Sequence, residues 1–237
     1  MKRHLVVYYG RSGSTLVDHY VSRSLCSKEF WFSEYGFPSS EIHQDELLIY
    51  YKKLMKLNEK NIDWCMKYHI SSGMTAKPLK GKMYDFSLEG TKIFFEDLGI
   101  TDLHFSFRMD MLDTIYSHMI AERDDTWVMT DGKIGKHKKR YYENEYINKI
   151  CHAYNKSYFL YNEYVKEFSK DFDVSFYPYE NLGNIFDIDN DPRGMKKQLT
   201  KEQKIDLIWN YDEIELIAKD FPFYHGKINE NTGVLEV

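Results

Sequence analysis

His4-Leu5-Val6-Val7-Tyr8-Tyr9-Gly10-Arg11-Ser12-Gly13-Ser14-Thr15-Leu16 passes from an apolar, strand-forming run into a turn with two glycines, two serines and a threonine. Leu16-Val17-Asp18-His19-Tyr20-Val21 then continues with amphipathic spacing. The order is strand, small-residue loop, helix. Amide N–H groups at the start of a helix lack intrahelical partners and carry the positive end of the helix dipole, so a glycine-containing turn there suits an anion. Arg11 adds a full positive charge, and the hydroxyls of Ser12, Ser14 and Thr15 add donors. The loop is expected to hold a phosphate. It has neither the length nor the lysine of the G-x-x-x-x-G-K-[ST] loop, which argues against an ordinary ATP- or GTP-hydrolysing enzyme.

Beyond this loop, strand-like and helix-like segments alternate. A short aromatic run at 28–33 reads as a strand or extended segment, 41–60 as an amphipathic helix, and 62–68 as a further strand. Residues 73–83, with Pro78 and Gly81, read as a loop. A helix follows over 88–98, stopped by Gly99, then a strand over 102–107 and a helix over 111–121. Lys133, Lys136, His137, Lys138, Lys139 and Arg140 mark an exposed basic loop. A tyrosine-rich helix over 141–168, a strand over 173–177 and a last helix over 201–219 complete the order. Such alternation predicts an α/β fold, a central parallel sheet between two layers of helices, with ligands bound at the carboxyl ends of the strands.

With 237 residues the chain is long enough for one sizeable domain, expected to span 1–237. A hydrophobic fraction of 43% and a charged fraction of 29% are those of a globular protein, and no apolar run reaches the ~20 residues needed to cross a membrane. The apolar run after Lys2 and Arg3 ends too early for a signal peptide, so a cytoplasmic location is expected. Cys26, Cys65 and Cys151 are odd in number and widely spaced, and read as buried thiols rather than a disulfide or zinc framework. A net charge of -5 argues against general nucleic-acid binding.

Arg11-Ser12-Gly13-Ser14-Thr15-Leu16 directly after a first strand resembles the 5′-phosphosulfate loop of sulfotransferases, which use 3′-phosphoadenosine 5′-phosphosulfate as donor. A second segment, Phe107-Arg108-Met109-Asp110-Met111-Leu112-Asp113-Thr114-Ile115-Tyr116-Ser117, is similar to that family's R-x-[ND]-x-[LV]-x-x-x-x-S pattern. There the arginine and serine bind the donor's 3′-phosphate, which implies that role for Arg108 and Ser117. The chemistry agrees, because a guanidinium is always charged and presents a planar fork to phosphate oxygens.

Cys65-Met66-Lys67-Tyr68-His69 looks like the K-[TS]-H segment of cytosolic sulfotransferases, in which the lysine contacts the transferring group and the histidine is the general base. Strand alternation puts Lys67 and His69 on one face. Histidine, with an ordinary pKa near 6.5, accepts a hydroxyl proton at neutral pH. Glu29, in Lys28-Glu29-Phe30-Trp31, and Glu34, in Ser33-Glu34-Tyr35, compete for this role, since a glutamate after the first helix serves as base in bacterial carbohydrate sulfotransferases.

Later segments also resemble that bacterial subgroup: Asp125-Thr126-Trp127 followed by Tyr141-Tyr142-Glu143 and Ile147, then Tyr179-Glu180-Asn181-Leu182, then Lys197-Gln198 with Asn210-Tyr211-Asp212. Arg193, Lys196 and Lys197 are further candidates for the 3′-phosphate. The resemblance implies a sulfotransferase of the P-loop-like three-layer α/β/α fold. It would transfer a sulfuryl group to a hydroxyl of a carbohydrate or other small molecule, without a metal. A nucleotide or small-molecule kinase with a degenerate loop and a non-catalytic nucleotide-binding module are the alternatives.

Overall fold

The computed structural model describes residues 2–10, 12–26, 44–70, 77–79, 82–84, 87–124, 138–185 and 199–236. They form two compact units. The first comprises 1–9, 13–107 and 160–177, and the second 10–12, 108–159 and 178–237.

The first unit is built on a four-stranded, all-parallel sheet, so the protein is an α/β protein. Its strands are β1 (Arg3–Tyr8), β2 (Trp64–His69), β5 (Asp102–Phe107) and β6 (Asp173–Pro178), in the order β2-β1-β5-β6. Between them run α1 (Ser14–Ser24), α2 (Gln44–Glu59) and α3 (Leu88–Leu98), and a small antiparallel hairpin of β3 (Lys77–Leu79) and β4 (Lys82–Tyr84). Leu5, Val6 and Val7 are all fully buried, as expected of a strand covered on both faces. Tyr8 lies opposite His69 on one side and Ser106 on the other, so the carboxyl ends of three strands come level.

The two sheet faces differ in chemistry. One is aromatic: Tyr9 and Phe105 pack on Tyr161 at centroid distances of 5.8 and 5.6 Å, and Tyr68 packs edge-on against Phe95 at 5.0 Å. The other is polar and meets α1. There the Cys65 thiol donates to Asp18 Oδ1 at 3.5 Å, His4 Nδ1 and His104 Nε2 lie 3.0 Å apart, and His104 Nδ1 lies 3.3 Å from the Tyr177 hydroxyl. Burial pushes the His4 pKa down and that of His104 down to about 3, so the His104 ring stays neutral in the folded protein well below pH 6.5. The unfolded chain takes up the His104 proton below the ordinary pKa near 6.5. The contribution of neutral His104 to stability is therefore fully present above pH 6.5 and is lost as the pH falls towards 3, by about 1.4 kcal/mol per pH unit. Melting temperatures between pH 7 and 5 should show this slope, and His104→Gln should reduce it by one proton; an unchanged slope would contradict the assignment.

Ser87 caps α3 by accepting from the Gly90 amide at 2.9 Å, and Gly99 ends the helix at φ 76. A side chain at Gly99 would be strained by that left-handed backbone and would also meet the Arg3 guanidinium, which donates to the Gly99 carbonyl at 2.9 Å. Gly99→Ala is expected to cost about 1–2 kcal/mol, read as a lowered denaturation midpoint. All three cysteines are free and buried, and burial raises each thiol pKa, to about 12 for Cys26 and Cys151.

The second unit contains α4 (Met111–Asp124), residues 144–159 of α5 (Asn144–Phe168), a 3-10 turn (Tyr179–Asn181) and the short helices α6 (Leu182–Ile185), α7 (Lys201–Asp206), α8 (Tyr211–Ala218) and α9 (Pro222–His225). A two-stranded hairpin, β7 (Lys227–Ile228) with β8 (Leu235–Glu236), follows. Tyr142 donates its hydroxyl to the Met119 carbonyl at 3.1 Å, and Phe221 packs edge-on to His152 at 4.8 Å.

Three expectations are corrected. The loop over 73–83 carries the β3–β4 hairpin; only Lys80 and Gly81 separate its strands, a length and composition that suit a tight turn as well as a loop. The long helix begins at Asn144 rather than 141, because the Tyr142 amide and carbonyl bond the Asn210 side chain at 3.0 and 2.8 Å. The same contact divides the expected helix over 201–219 into α7 and α8: Ile208, between them, forms a parallel bridge with Arg140. Among the described residues no helix is long and apolar enough to cross a membrane.

Candidate functional site

In the first unit, Gly13 is the N-cap of α1, at φ 78 and ψ 13, a left-handed conformation that favours glycine. Its carbonyl accepts from the amides of Leu16 at 2.9 Å and Val17 at 3.3 Å. The amides of Ser14 and Thr15 stand ahead of these first helical bonds. Among the described residues the cap has no side-chain hydrogen bond, and the first turn has no acidic residue. Such an end suits an anion. Ser12, immediately before the cap, is fully buried; Ser14 is buried and Thr15 half-buried.

Lys67 reaches this helix end from β2. Its Nζ donates to Thr15 Oγ1 at 3.4 Å and lies 5.8 Å from the Tyr8 ring centroid. The stem is buried, so the ammonium is held at the cap by packing rather than left to solvent. His69, two residues on, is half-buried and stands edge-on to Tyr8 at 4.9 Å. Burial first, and the Asp18 carboxylate second, push the Tyr8 hydroxyl pKa up to about 12, so Tyr8 is a neutral neighbour at physiological pH. Thr15, Lys67 and His69 thus belong to one unit, with the cation at the helix cap and the imidazole at the end of the same strand.

In the second unit, Arg108 is fully buried. Its Nη1 pairs with Asp113 Oδ2, and the same carboxylate accepts from Lys204 Nζ at 2.6 and 2.8 Å. The Tyr179 ring covers the guanidinium, with its centroid 3.6 Å from Cζ, and the Tyr158 hydroxyl donates to the Arg108 carbonyl at 2.5 Å. Glu180 Oε1 accepts from the amides of Met109 at 3.0 Å and Asp110 at 3.3 Å. Asp110 caps α4 by accepting from the Asp113 amide at 2.9 Å, and Lys201 pairs with it at 2.6 Å. Ser117 is buried on α4, four residues from Asp113 and so on the same helix face.

The second unit therefore assembles a buried cationic pair around one carboxylate. A guanidinium held flat by an aromatic ring and an ammonium beside it can bind phosphate oxygens with little ordering cost. Ser117, the other candidate in this segment, lies on the face of α4 that carries Asp113, the partner of Arg108. Lys204, Asp113, Tyr179 and Glu180 have no binding or positioning role in the sequence reading. The sequence places Tyr179 and Glu180 in the segment Tyr179-Glu180-Asn181-Leu182, but their action on Arg108 emerges only from the fold. Lys204 lies 91 residues from Asp113, without a local signal to connect them.

Arg11, Glu29, Glu34, Arg193, Lys196 and Lys197 lie outside the described residues, as does most of the basic loop over 133–140. Lys138, Lys139 and Arg140 are exposed. Asn210, in the Asn210-Tyr211-Asp212 segment, bonds the Tyr142 backbone with its side chain and donates to Glu213 Oε2 at 3.1 Å. Among the described residues no group of three or more His, Cys, Asp or Glu side chains could hold a metal ion. No protein-family model, curated protein or solved structure matches the chain.

Proposed function

We propose that the protein is a sulfotransferase with a three-layer, P-loop-like α/β/α fold, using 3′-phosphoadenosine 5′-phosphosulfate to sulfate a hydroxyl of a carbohydrate or other small molecule in the cytoplasm. The observation that carries the reading is the amino end of α1, opened by left-handed Gly13 and faced by the Lys67 ammonium at Thr15. The resemblance of Arg11-Ser12-Gly13-Ser14-Thr15-Leu16 to a phosphosulfate loop, and of Arg108 and Ser117 to a 3′-phosphate motif, gives that anion site its donor.

In this reading the acceptor oxygen attacks the sulfur in line while the bond from sulfur to the 5′-phosphate oxygen breaks. The acceptor proton passes to His69 Nδ1 or Nε2, and 3′-phosphoadenosine 5′-phosphate leaves. Negative charge gathers on the bridging oxygen, so fixed donors already aimed at it do most of the catalytic work. The Ser14 and Thr15 amides and Lys67 are assigned that role, with Arg11. Arg108 and Ser117 are assigned the 3′-phosphate, with Lys204 as an added cation. Sulfuryl transfer resembles phosphoryl transfer in its loose transition state, which suits a site made of donors and cations.

The test is transfer of labelled sulfate from the donor to a panel of sugars and phenols, beside a parallel incubation with ATP labelled at the γ-phosphate. Label on a hydroxyl acceptor from the sulfate donor alone is expected. Phosphate transfer from ATP, or no transfer to any acceptor, would remove the sulfotransferase reading.

A further inference from the structure

Trp209 exposes 68% of its surface and Tyr141 52%, although both belong to a tightly bonded part of the second unit. Arg140 and Ile208 form a parallel bridge, the Arg140 amide donates to the Leu207 carbonyl at 3.0 Å, and the Trp209 amide donates to the Arg140 carbonyl at 2.8 Å. One residue past the bridge on each segment, Tyr141 and Trp209 face out. One residue further, Tyr142 and Asn210 are buried and bonded to each other. The Tyr141 hydroxyl donates to Glu213 Oε2 at 3.0 Å, which also accepts from Asn210. The two rings are therefore held outward on a rigid, hydrogen-bonded base.

Their surroundings carry both signs of charge: Lys138, Lys139 and Arg140 before Tyr141, Glu143 after it, and Asp212 and Glu213 after Trp209. A fully covered aromatic side chain buries about 150–250 Å², so two half-exposed rings offer less than about 400 Å². That is well short of the about 800 Å² per partner of a stable protein interface. Flanking carboxylates also disfavour a polyanion such as nucleic acid. A sugar ring matches both features, with C–H groups on its face to lie on an aromatic ring and hydroxyls on its edge to bond carboxylate, ammonium and guanidinium.

We propose that Tyr141 and Trp209 form a docking platform for an uncharged polysaccharide chain, made of residues that no anion contact of the candidate site uses. Binding to this platform requires no donor, so it stands or falls apart from the sulfotransferase reading. The test is native electrophoresis through gels containing dextran, hydroxyethyl cellulose, laminarin or galactomannan. The wild-type protein is expected to be retarded by at least one of them, with Trp209→Ala weakening retardation on the order of tenfold and Trp209→Phe restoring part of it. Melting temperatures matching that of the wild type would show that these variants fold. Absence of retardation in all four gels, or equal retardation of Trp209→Ala, would overturn the platform. So would a wild-type dimer in sedimentation equilibrium that Trp209→Ala disperses, which would assign the surface to a second copy of the chain.

Discussion

Asp113→Ala is expected to lower the free energy of unfolding by about 3–5 kcal/mol, the usual loss when one partner of a buried ion pair is removed. Arg108 is fully buried, the Lys204 side chain is 4% exposed, and both pair with this one carboxylate, itself 16% exposed. Without it two cations face each other in a medium that screens them poorly. Asp113→Asn keeps the shape and an acceptor oxygen but not the charge, so a smaller loss is expected. Urea unfolding with an unchanged denaturant slope is the measurement. A loss under about 1 kcal/mol, as for an exposed pair, would show that Asp113 does not hold the cluster together.

On the proposed function, His69→Ala is expected to reduce kcat for sulfate transfer by a factor on the order of 10²–10⁴, the usual contribution of a positioned general base. His69 is half-buried at the end of β2, edge-on to Tyr8, so the substitution should lower the melting temperature only modestly. Steady-state kinetics with the acceptor held saturating and the donor varied separate the effects: kcat should fall while the donor's KM stays. Wild-type turnover in His69→Ala would pass the role of base to Glu29 or Glu34.

The elements legible in the sequence are those whose signals are local. Gly99 stops α3 where a left-handed residue is needed, the buried strand β1 reads as a compact apolar run because both faces are covered, and β5 reads as a strand from its polar–apolar alternation. The loop before α1 was legible because glycine and hydroxyl residues interrupt such a run abruptly. What local pattern could not reveal depends on partners distant in sequence. The apolar period over 201–219 continues through Ile208, and only its bridge to Arg140 and the bond of Asn210 to Tyr142 break the helix. The site divides in the same way. Lys67, His69 and Arg108 stand out in the sequence because their segments resemble sulfotransferase motifs, and strand alternation adds only that Lys67 and His69 share a face. The pairing of Lys204 with Asp113 and the stacking of Tyr179 on Arg108 require the assembled second unit.

Binding of 3′-phosphoadenosine 5′-phosphate, the product nucleotide of the proposed reaction, tests the central claim most directly. Followed by thermal unfolding, it should raise the melting temperature progressively with concentration, reaching about 2.7 kcal/mol of added stability at a hundred times the dissociation constant. ATP at the same concentrations should give a much smaller shift. An unchanged melting temperature up to millimolar nucleotide, or a larger shift with ATP, would contradict the account.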